Sequence, residues 1–507
     1  MKQYVVTASE MKRYDVNTIE KYHMPSLLLM ERAALVTVEE MERARGDSPC
    51  KVLVMAGCGN NGGDGLAVGR LLMQQGYEVT CVLLGGEDRC TQETARQISI
   101  LKEYGVQIFS TIQNGEYDIV IDAIFGVGLS RPVEGICREA IEWINERNVY
   151  VCSVDIPSGI RTDTGEVMGC AVCADLTVTY GFRKLGHILY PGAVHTGRLV
   201  CRQMGIDEHS FLGKEPFWYT HTGTDSRVLP ARRPDGNKGT FGKALLIVGN
   251  AKVAGAAMMA AKSAFRMGTG MMKIVTAAEN RDVLMQYVPE AMLVTEGDLK
   301  EAEMWADCIL IGPGIGTDQR AYELLKFSIL ESNLPLVIDA DGLNLLAKDQ
   351  ELQKAVTDCD SRGRSVILTP HLGEFARLYG CTVEQAKEHL TEYPLELSER
   401  LKCVIVCKDA RTVVVWHGQR RGYVNTTGNV GMATAGSGDV LAGMVTGLLA
   451  QKMAGADAAV ASVYLHGIAG DLAAERETEV SMTATDIIDR IRDAILMQQG
   501  TDVDREV

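Results

Sequence analysis

The sequence predicts an α/β protein with two domains, each built around a largely parallel sheet. Strand-like runs alternate with helical segments of about 10–15 residues, which is typical of βαβ units. The strand-like runs are continuously apolar, as expected for sheets that helices cover on both faces. A chain of 507 residues exceeds one ordinary domain, and a single polar stretch interrupts the alternation.

Two helices and then a strand–helix alternation are predicted for the first domain. Pro25 divides the helical pattern of the first 40 residues, because a proline interrupts a helix. Predicted strands are residues 51–57, 78–84, 106–109, 118–125 and 149–156, with strands at the sheet edge at 175–180 and 198–204. Predicted helices are residues 64–75, 91–104 and 136–147.

A polar stretch between Asp207 and Pro234 predicts the domain boundary, since its prolines and glycines interrupt the pattern. We assign residues 1–213 to the first domain and 222–507 to the second. In the second domain, strands are predicted at 244–248, 273–277, 307–311, 335–338, 365–368, 403–406 and 412–416. Its predicted helices are residues 255–267, 321–330, 374–379, 439–450 and 456–474.

Composition and charge indicate a globular protein and argue against several classes of partner. Hydrophobic residues make up 46% of the chain and charged residues 23%, which is ordinary for a globular protein. The net charge of −15 argues against nucleic acid or an anionic membrane as a partner. No apolar run approaches the roughly 20 residues of a membrane span. The 14 cysteines are mostly scattered and include one Cys-x-x-Cys pair without zinc partners, which fits a reducing compartment. We therefore expect a cytoplasmic protein.

The first strand of the first domain leads into a glycine-rich segment. Gly57, Gly59 and Gly62 satisfy the pattern G-x-G-x-x-G before a helix, where a pyrophosphate binds in dinucleotide enzymes. Alone the pattern is weak. It is compatible with a Rossmann oxidoreductase that has Asp88 on the ribose, and also with a tight turn that binds nothing.

Oxygen-bearing side chains recur where three strands of this domain end. The segment 60–64 follows the first strand, Asp122 ends another, and Asp155 follows a third. Carbonyl and carboxylate oxygens suit a hard cation. Each aspartate by itself is also a common cap or turn residue. Because the carboxyl ends of parallel strands form the ligand crevice of an open sheet, the three clusters together predict a site.

These segments resemble the NAD(P)H-hydrate epimerase family over roughly residues 1–213. The matching pieces are residues 29–34, 60–65, 126–132, 154–159 and Lys184 after 180–183. The resemblance implies Asp155 at the reacting ring, Lys184 as a weaker second candidate, and a potassium ion held by Asn61, Asp122 and Ser158. It implies substrate contacts by Asn60, Asn61, Gly62, Gly63, Asp64, Gly126, Val127, Gly128, Leu129, Ser130, Arg131, Pro132 and Asp155.

A second glycine cluster precedes a helix in the second domain. Gly436 and Gly438 leave backbone N–H groups free to hold a phosphoryl group. Asp439 beside them is suited to accept a proton from an attacking hydroxyl. An aspartate here is equally suited to capping the helix. Further polar segments follow predicted strands at 312–316, 339–344, 369–374 and 408–412.

This set resembles the ribokinase-like superfamily, and more narrowly the ADP- or ATP-dependent NAD(P)H-hydrate dehydratases, over about residues 225–495. Ala435 and Ser437 stand where many members have Gly and Thr. In the implied mechanism Asp439 deprotonates the ring hydroxyl, Mg²⁺ and backbone amides stabilise the transferring phosphoryl group, and phosphate then leaves. The resemblance implies hydrate contacts by Ala256, Gly316, His371 and Asp439. It implies nucleotide contacts by Lys408, Asp409, Ala410, Arg411, Thr412 and Gly438.

The sequence thus favours a bifunctional repair enzyme with a Rossmann-like three-layer N-terminal domain and a ribokinase-like C-terminal domain. The first domain would interconvert the R and S hydrates of NADH and NADPH, and the second would dehydrate the S form with ADP or ATP. By resemblance we also expect a homo-oligomer. The alternatives are a small-molecule kinase with a nucleotide-binding regulatory domain, the oxidoreductase above, and a nucleotide sensor without turnover.

Overall fold

The computed structural model describes residues 2–223 and 228–498. It divides into two compact units. One is Tyr4–Phe217, and the other comprises the residues up to Gln3 and those from Trp218 onward. Within the described ranges, no helix is long and apolar enough to cross a membrane. Both units contain a mostly parallel sheet with helices, which confirms the predicted α/β class.

The N-terminal unit contains a seven-stranded, fully parallel sheet in the order β4-β3-β2-β5-β6-β7-β9. The strands of this sheet are β2 Lys51–Ala56, β3 Glu78–Leu83, β4 Ile108–Phe109, β5 Ile119–Ala123, β6 Tyr150–Val154, β7 Leu176–Tyr180 and β9 Arg198–Arg202. Two short strands outside it, β1 Lys2–Val6 and β8 Arg183–Lys184, pair with each other. Its helices are α1 Ala8–Lys21, α2 Ser26–Arg45, α3 Asn60–Gln74, α4 Gln92–Glu103, α5 Gly135–Asn145, α6 Leu185–Ile188 and α7 Gly192–His195.

Alternate residues of β2 explain the three layers of this unit. Val52 and Val54 pack in a buried cluster with residues of α1 to α4 on one face of the sheet. Leu53 and Met55 pack with residues of α5 in a second cluster. A strand buried on both faces reads as a continuous apolar run, which is why the sequence located these strands closely.

Three expectations for this unit are wrong in detail. The first 40 residues are not wholly helical, because Lys2–Val6 forms β1, which pairs in parallel with β8. The predicted edge strand near residue 176 is internal, since β7 lies between β6 and β9. Helix α3 begins at Asn60 rather than Asp64. The predicted substrate loop 60–64 is therefore the first turn of a helix.

The C-terminal unit contains ten strands in the order β13-β12-β11-β14-β15-β16-β17-β18-β19-β10. Only the pairs on either side of β18 are antiparallel. The strands are β10 Trp218–His221, β11 Lys243–Ile247, β12 Met271–Val275, β13 Met292–Val294, β14 Cys308–Ile311, β15 Leu336–Ile338, β16 Val366–Leu368, β17 Val404–Cys407, β18 Val413–Trp416 and β19 Gly422–Val424. This sheet is mostly parallel, as the sequence predicts for an α/β domain.

Twelve helices are described in the C-terminal unit. They are α8 Gly255–Arg266, α9 Arg281–Tyr287, α10 Leu299–Trp305, α11 Gln319–Leu330, α12 Ala340–Leu346, α13 Gln350–Ser361, α14 Leu372–Tyr379, α15 Val383–Glu388, α16 Tyr393–Leu401, α17 Ser437–Ala450, α18 Gly455–Ser481 and α19 Ala484–Gln498. Helices α8, α17 and α18 share a buried cluster with the sheet. Strand β10 lies inside the polar stretch 207–234, where the sequence analysis predicted a domain boundary and no strand.

Candidate active sites

The predicted residues of the N-terminal unit lie at the carboxyl ends of three adjacent strands. In the sheet, β5 lies between β2 and β6, and all three are parallel. Helix α3 follows β2, Asp122 is the penultimate residue of β5, and Asp155 comes directly after β6. The predicted convergence therefore follows from the topology.

The glycines before α3 are required by close packing. A Cβ on Gly57 would overlap the carbonyl oxygen of Ile124, and one on Gly62 would overlap the carbonyl oxygen of Gly57. The G-x-G-x-x-G pattern thus has a local structural reason that needs no dinucleotide. No side chain caps the N-terminus of α3.

Asn61 brings the two predicted substrate segments together. Its Oδ1 lies 3.1 Å from the position that a Cβ on Gly126 would occupy, so a side chain at Gly126 would crowd it. The Nδ2 atom of Asn61 is buried and has no hydrogen-bond partner. The segment 126–132 connects β5 to α5, and Gly128, Ser130, Arg131 and Pro132 are exposed there.

Asp122 and Ser158 form one buried hydrogen-bonded group. Asp122 Oδ2 accepts from Ser153 Oγ at 2.7 Å and from the Ser158 backbone N–H at 2.9 Å, and its Oδ1 accepts from Ser158 Oγ. Burial raises the pKa of Asp122, although these hydrogen bonds oppose the rise. The pair adjoins Gly126, because Ser158 Oγ accepts from the Phe125 N–H at 2.9 Å.

Asp155 has an unusual backbone conformation, and its carboxylate forms an ion pair with the buried ammonium group of Lys184. Its φ of 64° is left-handed, which is uncommon outside glycine and is frequent at functional sites. Asp155 Oδ1 accepts from Lys184 Nζ at 2.5 Å and from Thr179 Oγ1 at 2.9 Å. Burial pushes the pKa of Asp155 upward, but the Lys184 ammonium outweighs it and the pKa is lowered.

His187 fixes the backbone of Asp155. The Lys184 N–H donates to His187 Nδ1 at 3.1 Å, so His187 Nε2 carries the proton and donates to the Asp155 carbonyl oxygen at 2.8 Å. Burial lowers the pKa of His187 to about 3, which keeps the ring neutral. The sequence analysis did not single out His187 or Thr179.

Two further carboxyl groups lie within electrostatic range of Asp155. Burial, then Asp155 and Asp15, raise the pKa of Asp64 well above its usual value. Burial and Asp155 also raise the pKa of Asp15 on α1. The sequence assigned Asp64 to substrate contact but gave no signal for Asp15, which reads as an ordinary polar position of a helix.

The predicted residues of the C-terminal unit also follow adjacent strands. In the order β14-β15-β16-β17, the segments after each strand are 312–316, 339–344, 369–374 and 408–412. These four segments lie at the same edge of the sheet because the four strands are parallel. The start of α17, which carries Asp439, lies at the same edge, because Gly438 of this helix is next to the side chain of Lys408.

Lys408 forms a buried ion pair and approaches the glycine cluster. Its Nζ donates to Asp339 Oδ1 at 2.9 Å. The same Nζ lies 3.2 Å from the position of a Cβ on Gly438. Burial opposes the charge of Lys408, but Asp339 and then Glu374 raise its pKa. The charged Lys408 side chain therefore lies beside the backbone at the start of α17.

Asp439 has the protonation behaviour of a general base. Burial, followed by the charge of Asp339, raises its pKa to about 7, although Lys408 opposes the rise. Gly436, the N-cap of α17, has a φ of 91° and offers no capping side chain. No side chain therefore occupies the N–H groups at the start of α17, although the Ser437 N–H donates to the Thr434 carbonyl oxygen at 3.3 Å. A pKa near the operating pH suits proton transfer.

The predicted hydrate contacts occupy neighbouring segments. Ala256, in the first turn of α8, lies against the 312–316 segment, because a Cβ on Gly314 would be 3.1 Å from the Ala256 Cβ. The Gly316 N–H donates to Asp341 Oδ2 at 2.9 Å. His371 caps α14 by accepting from the Gly373 N–H at 2.9 Å, and burial lowers the pKa of its ring.

The predicted nucleotide segment 408–412 joins β17 to β18, as expected. The Thr412 hydroxyl donates to the Asp409 carbonyl at 3.3 Å, which closes the turn. Arg411 donates to the Thr426 carbonyl at 3.4 Å, and Ala410 is exposed. Asp339, Asp341 and Glu374 join Lys408 and Asp439 here; the sequence noted their segments but assigned them no role.

Comparisons with known proteins match both units. The family described as YjeF-related protein N-terminus matches residues 26–186, and that described as NAD(P)H-hydrate dehydratase matches residues 244–493. The bifunctional NAD(P)H-hydrate repair enzyme Nnr of Thermofilum pendens is 34% identical over 97% of this chain and 96% of its own length. This chain belongs to the bifunctional NAD(P)H-hydrate repair enzyme family. That membership confirms the resemblance inferred from the motifs.

Other relatives and a solved structure are also similar to this chain. The Nnr enzymes of Moorella thermoacetica and Escherichia coli are each 34% identical, over 96% and 87% of this chain and 95% and 84% of their own lengths. A crystal structure of the ADP/ATP-dependent NAD(P)H-hydrate dehydratase of Bacillus subtilis, co-crystallised with ATP and Mg²⁺, is 30% identical. It covers 53% of this chain and 93% of its own, with a TM-score of 0.47.

Proposed function

We propose that the N-terminal unit interconverts the R and S forms of NAD(P)H hydrate at Asp155 and that the C-terminal unit dehydrates the S form at Asp439. The observation that carries the proposal is the position of Asp439. It has a pKa of about 7 and stands at the uncapped start of α17, with Lys408 beside it. A base, a cation and backbone N–H groups that no side chain caps suit phosphoryl transfer from ADP or ATP to a ring hydroxyl.

The dehydration follows from these groups. Asp439 takes the proton of the ring hydroxyl, and the hydroxyl oxygen attacks the terminal phosphorus of the nucleotide. The bond from that phosphorus to the bridging oxygen breaks, so that ADP leaves as AMP or ATP leaves as ADP. Lys408 and the N–H groups of Gly436 and Gly438 hold the phosphoryl oxygens as charge moves onto them. The lone pair of the ring nitrogen then expels phosphate, and the loss of a proton restores the dihydronicotinamide. Hydroxide would leave poorly, and this explains the need for a phosphoryl donor.

We place Mg²⁺ with the nucleotide rather than in a cage of protein ligands. No group of three or more His, Cys, Asp or Glu side chains in the described ranges is arranged to hold a metal. Mg²⁺ commonly binds through substrate phosphates with one or two carboxylates, and Glu374 and Asp341 are carboxylates at this edge of the sheet. When bound, Mg²⁺ neutralises phosphate charge.

Epimerisation needs groups that remove and return a proton at the hydroxyl or at the ring nitrogen. Asp155, kept ionised by Lys184, is suited to accept that proton. Asp64, whose pKa is raised, is suited to supply one. Two carboxyl groups whose pKa values are pushed apart define acid and base roles. The segments 60–64 and 126–132 would contact the substrate around them.

The residues predicted to hold potassium fit a monovalent cation. Among the residues that the structure describes, the buried Asp122 carboxyl has no ion-pair partner, and the buried Nδ2 of Asn61 has no hydrogen-bond partner. Rotating that amide by half a turn would place its oxygen where the nitrogen now lies. Oxygen donors of this kind suit a hard cation, which when bound supplies positive charge next to Asp122.

An assay that resolves the two epimers tests the proposal. Purified protein is given mixed hydrates of NADPH with Mg²⁺ and K⁺, and with ADP, ATP or no nucleotide. We expect complete conversion to NADPH with the effective donor and epimer interconversion without any donor. Consumption of one epimer alone would reject the N-terminal activity, and accumulation of a stable phosphorylated product would favour a kinase. Assembly as a homo-oligomer stays a prediction.

A further inference from the structure

A cavity of about 730 Å³ lies at the strand ends of the C-terminal unit, beyond the residues assigned above. It is lined by residues that follow β11, β12 and β13, including Asn250, Thr276 and Thr295. Its volume falls within the range of ligand pockets, roughly 300–1,000 Å³. None of its lining residues takes part in the proposed dehydration.

The cavity adjoins the predicted hydrate site through Asn250. A Cβ on Gly316 would lie 3.6 Å from Asn250 Nδ2. The wall at this point is fixed by the buried Asn280 side chain. Its Nδ2 donates to the Asn250 carbonyl at 3.0 Å and to Thr276 Oγ1 at 2.9 Å. The cavity is therefore a formed continuation of the site.

The charges around the cavity are partly used in the fold and partly available. Arg320 pairs with Glu296, and Asp318 caps α11 by accepting from the Ala321 N–H at 2.9 Å. Arg281 and Lys252 are exposed and form no ion pair with any residue in the described ranges. Glu279 also lines the cavity and forms no ion pair within the described ranges. Two cations and one carboxylate therefore line the cavity without an ion-pair partner.

The direction of the substrate follows from the order of the strands. The phosphoryl donor is placed at Lys408 after β17, and the reacting ring between it and Gly316 after β14. Continuing along the sheet, β11, β12 and β13 lie beyond β14. The half of the dinucleotide that does not react has to leave the ring on the side away from the donor, and the cavity lies on that side.

We propose that this cavity holds the adenosine half of the dinucleotide hydrate, with Arg281 and Lys252 contacting the 2′-phosphate of the NADPH form. The inference rests on the proposed dehydratase function and names a subsite for it. Arginine is the usual partner of a 2′-phosphate on adenosine. The NADH form would occupy the same cavity without this contact.

The test compares Arg281→Gln, Lys252→Gln and the double variant with Lys354→Gln, an exposed lysine of α13 outside the cavity. For the double variant we expect the KM for NADPH hydrate to rise at least about tenfold, since each tenfold reflects the loss of one good polar contact. The KM for NADH hydrate and both kcat values should stay within about twofold. Equal KM changes for the two hydrates, or none, would overturn the proposal.

A binding measurement separates this proposal from failure of the proposed function. Adenosine 2′,5′-bisphosphate is titrated calorimetrically into the wild-type chain and the four variants, without any turnover. We expect binding that weakens in Arg281→Gln, persists in Lys354→Gln, and competes with NADPH hydrate but not with the phosphoryl donor. The proposal would be overturned if the bisphosphate did not bind or if it competed with the phosphoryl donor. Binding that does not displace NADPH hydrate would also overturn it, because the cavity would then be a site for free nucleotides.

Discussion

Lys184 donates from a completely buried ammonium group to Asp155 Oδ1 at 2.5 Å, and β1 helps to place it. The short strand β8 that ends in Lys184 pairs with β1, with Val6 opposite Lys184. Thr179 accepts from the same ammonium at 2.7 Å and donates to the same carboxylate oxygen. A cation and two hydrogen bonds thus hold Asp155 ionised in a buried site.

Replacing Asp155 with asparagine should abolish most of the epimerisation and leave dehydration of the S hydrate intact. Asn tolerates the left-handed backbone at this position, so the fold should survive. We expect the epimerisation rate to fall at least ~10²-fold, the usual effect of losing an acid–base group. The epimer-resolved assay without nucleotide measures this rate. Near-normal interconversion by folded Asp155→Asn would reject Asp155 as the base.

Replacing Lys184 with methionine should shift the pH dependence of epimerisation upward. Without the ammonium, burial raises the pKa of Asp155, so the ionised base forms only at higher pH. Breaking a buried pair also costs about 3–5 kcal/mol of folding free energy. The measurements are a pH–rate profile and chemical denaturation, with Lys184→Arg as the charge-conserving control. A profile that matches the wild type would show that Lys184 does not set the ionisation of Asp155.

Dehydration should depend on the ionisation of Asp439. Below its pKa of about 7 the carboxyl is protonated and unable to accept the hydroxyl proton, so kcat should fall as the pH drops through about 7. Asp439→Asn should lower kcat at least ~10²-fold above about pH 7 while epimerisation persists, and the difference from the wild type should narrow at lower pH because the wild-type carboxyl is then protonated. The assay follows NADPH formation from the S hydrate between about pH 5 and 9. Loss of both activities in a folded variant would contradict separate sites.

The sequence located the parallel strands and their polar ends but not the groups that tune them. Most strands of the two sheets are buried apolar runs, so pattern alone identified them. The sequence analysis missed β10, β13 and β19, which are only three or four residues long. Asp339 and Lys408 were visible only as members of separate segments 69 residues apart. Their ion pair depends on β15 and β17 flanking β16, which is a property of the sheet order. Strand β1 was missed because Lys2–Val6 is short and leads directly into a helix.

Potassium should stabilise the N-terminal unit through Asn61. If K⁺ occupies the place beside the orphaned Asn61 amide and the Asp122 carboxyl, it binds only the folded state and raises the stability of that unit. We expect a higher melting temperature and tighter hydrate binding in KCl than in NaCl at equal ionic strength. Asn61→Ala should remove the difference between the salts, whereas Asn60→Ala, at the exposed start of α3, should retain it. Identical melting and binding in both salts for the wild type would exclude a specific potassium site.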